Sequence, residues 1–151
     1  MRLFRFLPLL VLAFIVTITA CQKAATTAPV VSLSFFLDSA QYNCKGGDAI
    51  MMDTMGKKAL EVRGLTNNFA QNVILFLPLD SANARPGTYY GSMVFADSIL
   101  QADIATTWIG DSVQVNLTQL DGVHAAGTFS GQVFHNERSK TISQGKFNVT
   151  Y

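Results

Sequence analysis

From Val31 onward, apolar and polar side chains alternate. Val31, Leu33, Phe35 and Leu37 fall on one face and Ser32, Ser34 and Asp38 on the other, the period-two signature of a half-buried strand. Leu60 and Val62 alternate with Glu61 and Arg63 before Gly64, predicting a second such strand. Two short extended pieces, Ala40–Lys45 and Ala49–Thr54, are expected around a Gly46-Gly47 turn. Val73-Ile74-Leu75-Phe76-Leu77 is apolar at every position, which predicts a central strand covered on both faces. Pro78 ends it, and Pro86-Gly87 predicts a type II turn with the glycine at positive φ before extended structure from Tyr89 to Ala96. A strand from Ile99 to Trp108 is expected to turn Leu100, Ala102, Ile104 and Trp108 inward. Ile109-Gly110-Asp111-Ser112 then reads as a hairpin turn into Val113, Val115 and Leu117. Asp121-Gly122 makes the next turn, Thr128–Phe134 a further strand, and Phe147, Val149 and Tyr151 alternate along the last one.

Beyond the N-terminal run, no long stretch has helical periodicity, and turn residues recur roughly every eight to twelve positions. The expected fold is therefore all-β: an antiparallel β-sandwich or partly closed barrel of about eight to ten short strands, preceded by a signal-peptide helix.

That N-terminal run carries Arg2 and Arg5, then an uncharged apolar stretch from Phe6 to Ile18, the layout of a secretory signal. It is shorter than the roughly 20 apolar residues needed to cross a bilayer. Ile18-Thr19-Ala20-Cys21 resembles the bacterial lipobox. The resemblance implies cleavage before Cys21, whose sulfur and new amino group would carry acyl chains (palmitate among them). Gln22–Pro29 has no large apolar residue and reads as a tether reaching at most about 25–30 Å. The chain thus divides into a signal peptide (1–20), a lipidated cysteine and tether (21–30) and a single β domain (31–151). Gln22 resembles the default signal for sorting to the outer membrane. The tether has no acidic residue of the kind some bacteria use for surface export, so a periplasm-facing anchor is expected.

Composition narrows the partners. With Arg2 and Arg5 removed, nine Lys and Arg face ten Asp and Glu, so no basic face invites nucleic acid. Cys21 and Cys44 are the two cysteines, and lipidation of the first leaves Cys44 alone, excluding a disulfide framework. Cys44, beside Lys45, reads as a small hydrophobe at a strand end or as a reactive thiol.

Candidate chemistry is sparse. Only His124 and His135 could serve as a base, and on one strand their odd separation would put them on opposite faces, against a shared metal. Gly127-Thr128-Phe129-Ser130-Gly131 places its serine one position late for a nucleophile elbow. Glu61 and Asp103 are expected to point outward, and Asp48 with Asp53 falls short of a calcium loop. No catalytic residue, metal ligand or cofactor is expected, and the chain reads as a non-enzyme.

Leu60-Glu61-Val62-Arg63-Gly64, Pro86-Gly87-Thr88-Tyr89, Gly127-Thr128-Phe129-Ser130-Gly131 and Gly145-Lys146-Phe147-Asn148-Val149, in that order, resemble small β-rich bacterial lipoproteins of unknown function. Each motif reads as a turn glycine beside an aromatic core residue. The resemblance implies an all-β fold and an envelope address, and brings no catalytic or ligand residue.

Five of the eight aspartates open one tripeptide: Asp38-Ser39-Ala40, Asp53-Thr54-Met55, Asp80-Ser81-Ala82, Asp97-Ser98-Ile99 and Asp111-Ser112-Val113. These resemble the Asp-(Ser/Thr)-apolar acceptor of envelope O-glycosylation, making Ser39, Thr54, Ser81, Ser98 and Ser112 candidate glycan sites. Turn chemistry accounts for the same pattern, because Asp-Ser favours turns and an apolar residue opens the next strand. The first functional reading is a lipid-anchored module that binds or scaffolds an envelope protein or glycan without catalysis. The alternative is a carrier of a small apolar ligand in a barrel cavity lined by Trp108, Phe129, Phe134 and Phe147.

Overall fold

The computed structural model describes residues 30–79, 84–96 and 106–151, apart from the Thr54 side chain. Cys21, Ser81, Ser98, Asp103 and most of the expected Ile99–Trp108 strand lie outside the described residues. The eight strands are β1 (Val31–Leu37), β2 (Ala40–Thr54), β3 (Lys57–Thr66), β4 (Asn72–Pro78), β5 (Gly87–Ala96), β6 (Thr107–Leu120), β7 (His124–His135) and β8 (Arg138–Thr150). Each pairs antiparallel with its successor, and β8 returns to β1, so the all-β expectation resolves into a fully closed barrel in chain order. Closure pairs both edges of the sheet, which would otherwise expose unpaired backbone groups.

The alternating residues face inward as their period requires. Leu33, Phe35, Leu60, Val62, Val113, Val115 and Val149 are all buried. An eight-stranded barrel is just wide enough for side chains to fill, and aromatic rings fill this one. Phe35 lies 6.1 Å from Phe95 and 6.0 Å from Phe129, Tyr42 lies 4.9 Å from Phe95, and Phe129 lies 6.5 Å from Phe147, measured between ring centroids.

Several local expectations are corrected. Gly46-Gly47 does not reverse the chain: β2 runs through it, and the register slips from Cys44↔Thr66 to Gly46↔Leu65. Gly47 takes φ 142°, and a Cβ there would meet the Arg63 carbonyl oxygen at 2.0 Å, so the glycine pair builds a bulge that bends a long strand. Ile109–Ser112 is likewise a bulge within β6. Against β5 the register passes from Gly91↔Val113 to Met93↔Gly110, leaving one extra residue on β6. Gly87 opens β5 without positive φ, so the expected type II glycine is not formed. β4 is not covered on both faces, because a closed barrel has no central strand. Its Ile74 and Phe76 lie half-buried on the outer surface.

The glycines read as turn residues beside aromatics are instead inward strand positions. Gly127 pairs with Phe147 and Phe129 with Gly145 across β7 and β8. Each ring lies over the neighbouring glycine's Cα, where a Cβ would come within 3.1 Å of the Phe147 ring or 2.7 Å of the Phe129 ring. The missing side chain makes room for the aromatic, and the pair fills the space of two ordinary residues.

Candidate functional site

Neighbouring strands run in opposite directions, so the start of β1 and the end of β8 share one rim of the barrel with the ends of β2, β4 and β6 and the starts of β3, β5 and β7. Thr150 N–H donates to the Val30 carbonyl at 3.1 Å, and Tyr151 N–H donates to Val123 O at 3.0 Å. Lys58 and Leu79 extend the inward rows of β3 and β4 to this rim, where Leu79 N–H donates to Lys58 O at 2.8 Å.

There Met51, Lys58, Leu79, Ala84, Leu120 and Tyr151 surround an open depression of about 510 Å³. Ligand sites in proteins are roughly 300–1,000 Å³. Met51, Ala84, Leu120 and Tyr151 are half-buried and rest on the core, so each keeps apolar surface for a visitor. One pleat further in, Leu60, Leu77 and Val149 are essentially sealed from solvent, so the mouth has an apolar floor and does not continue through the barrel.

Among the described residues, Lys58 and Asp121 bring charge to this mouth. Asp121 accepts from His124 N–H at 2.8 Å, Val123 N–H at 3.0 Å and the Gln119 amide at 2.9 Å, and Tyr151 O–H donates to its carbonyl. The Val123 N–H, then the Gln119 amide and the His124 N–H, hold its carboxyl far below the usual carboxylate range. Asp53 stands opposite Lys58 in the β2–β3 ladder and accepts from Gly56 N–H at 3.2 Å. Among the described residues, no carboxylate lies within ion-pair distance of Lys58.

At the other rim the described side chains pack on one another. Trp108 continues the inward row of β6, Lys140 Nζ sits 4.2 Å from its ring centroid, and the His135 ring is 5.5 Å away. His135 Nδ1–H donates to Thr107 O at 3.0 Å while Nε2 accepts from the Asn136 amide at 3.2 Å. Nearby, the buried Thr66 hydroxyl donates to Asn68 Oδ1 at 2.6 Å and accepts from Gln71 N–H at 3.1 Å. A depression of about 600 Å³ beside the β7–β8 turn is lined, among the described residues, by His135–Arg138 of that one turn.

The sequence-derived candidates are not brought together. His124 and His135 occupy opposite ends of β7 on opposite faces. Glu61 bonds to Arg63, which also reaches Asp48 at 3.6 Å, so these charges are engaged with one another on the outer wall. Cys44 lies inward in the middle of β2 rather than at a strand end. Burial pushes its thiol up to about 11, so it packs as a small hydrophobe. Of the cavity aromatics, Phe129 and Phe147 pack in the core, Phe134 points outward at 51% exposure, and Trp108 lies against Lys140 and His135 at the other rim. They do not line one cavity. Ser39 is exposed in the β1–β2 turn and Ser112 on the β6 bulge. The preceding Asp38, at φ 54°, accepts from Thr141 N–H of β8 at 2.9 Å, and Asp53 from Gly56 N–H of its own turn, so both carboxylates serve backbone donors.

The mouth residues were missed because they are ordinary inward positions at strand ends. Only closure and register put them around one opening.

No protein-family model matches the chain, and no curated protein or solved structure matches it. Its class therefore rests on its own geometry: an eight-stranded, up-and-down antiparallel barrel with a packed interior and an open mouth at one rim. That fold is compatible with a binding module or ligand carrier.

Proposed function

We propose that this chain is a non-catalytic binding module, held to the envelope membrane through an acylated Cys21, whose binding site is the barrel mouth. The observation that carries this reading is the shared rim. Val30, where the described chain begins, lies at the same end of the barrel as the apolar depression. A tether of the length from Cys21 to Pro29 then keeps the mouth within about 30 Å of the bilayer. A packed core beneath a shallow mouth suits capture of part of a ligand rather than full enclosure.

Ala84→Trp tests the site by filling the mouth from a half-buried position. The wild-type protein isolated from its native envelope should carry small-molecule adducts in native mass spectra, and the variant should lose them while keeping its β-sheet circular dichroism. Adducts unchanged in a folded Ala84→Trp protein, or a wild type that carries none, would refute the mouth as the site.

A further inference from the structure

Resting on the reading of the mouth as a binding site, we infer that its ligand is a single-chain zwitterionic amphiphile, an acyl chain bearing a phosphate and an ammonium group. The chain half of this assignment follows from the walls. Met51, Ala84 and Leu120 offer apolar surface above a sealed floor that includes Leu79, so burying an alkyl chain there is favourable.

The headgroup half follows from the arrangement of charge. Lys58 is the last inward position of β3 and has no carboxylate within ion-pair reach among the described residues, so its ammonium is available to a phosphate. On either side stand carboxylates: Asp53 opposite it in the ladder, and Asp121 across the opening. Both accept hydrogen bonds from backbone N–H groups, and the bonds at Asp121 favour its ionised form. Among the described residues, a purely anionic headgroup would meet two carboxylates for one ammonium, and a purely cationic one would meet Lys58. Only a headgroup with both signs finds complementary charge at each position.

The test is calorimetric titration of the full chain carrying Cys21→Ser, which removes any attached acyl chain as a competitor. Four probes with the same dodecyl chain are used below their micellar concentrations: dodecylphosphocholine, dodecyl sulfate, dodecyltrimethylammonium and dodecyl maltoside. Dodecylphosphocholine should bind tightest. Lys58→Gln should weaken it about fivefold, the scale of one exposed ion pair, and leave the maltoside unchanged. Asp53→Asn keeps the acceptor for Gly56 N–H and should weaken the phosphocholine and the trimethylammonium while sparing the sulfate. Equal binding of all four probes, or tightest binding of a singly charged one, overturns the zwitterion assignment and leaves the mouth as a chain-binding site. Absence of binding by every probe overturns the mouth reading as well.

Discussion

Gly145→Ala perturbs one of the paired glycine and phenylalanine positions by a single methyl group. An added Cβ would meet the Phe129 carbonyl oxygen at 2.4 Å and the Phe129 ring at 2.7 Å, distances that real Cβ atoms do not tolerate. The ring is fixed in turn, because its other neighbours are Phe35 and Phe147 in the closed interior. Overpacking of this kind costs about 1–3 kcal/mol, and alanine recovers about 0.5–1 kcal/mol of what glycine loses in a strand. Because the closest clash is with backbone, the cost falls in the upper part of that range, about 2–3 kcal/mol, and the expected net loss is about 1–2.5 kcal/mol, lowering Tm by about 3–10 °C for a domain of this size. Urea unfolding followed by circular dichroism measures it. Phe129→Leu in the same background removes the ring contact but not the carbonyl contact, so a double-mutant cycle should show a favourable coupling of about 0.5–1 kcal/mol. A Gly145→Ala protein as stable as the wild type, or strict additivity in the cycle, would refute the account of ring and glycine as one packing unit.

Asp121 gives the acid limb of stability a specific source. Its folded-state pKa is depressed, so its stabilisation is in force above the ordinary carboxylate value near ~4 and fades as pH falls below it. Asp121→Asn, which keeps one acceptor for the turn, should flatten the fall in Tm over that acidic range. An unchanged acid limb would count against the assignment. Cys21→Ser should release the protein from membranes or leave it unprocessed, and a processed variant that still fractionates with membranes would rule out the lipid anchor. Ser39 and Ser112 are the candidate acceptor hydroxyls exposed on the described surface. The mature protein from its native host is expected to carry a discrete mass increment that Ser39→Ala with Ser112→Ala reduces. Masses equal after allowing for the substitutions would leave turn chemistry as the sufficient explanation.

Period-two alternation was enough to determine that Val31–Leu37, Val113–Leu117 and Phe147–Val149 are strands with one buried face. Side-chain direction in an extended chain is a local consequence of the backbone. Turn residues told less, because glycine signals a departure from regular geometry without saying which one. Gly46-Gly47 and Gly110 lie at bulges, and Gly127 and Gly145 make room for rings, distinctions set by the strand lying alongside. The uniformly apolar β4 misled for a related reason. Its sequence is compatible with two covered faces, but closure of the sheet leaves the outer one half-exposed. The mouth was invisible to any local rule. Met51, Lys58, Leu79, Ala84, Leu120 and Tyr151 are distant in the chain and chemically unremarked, and only register and closure carry their strand ends to one rim.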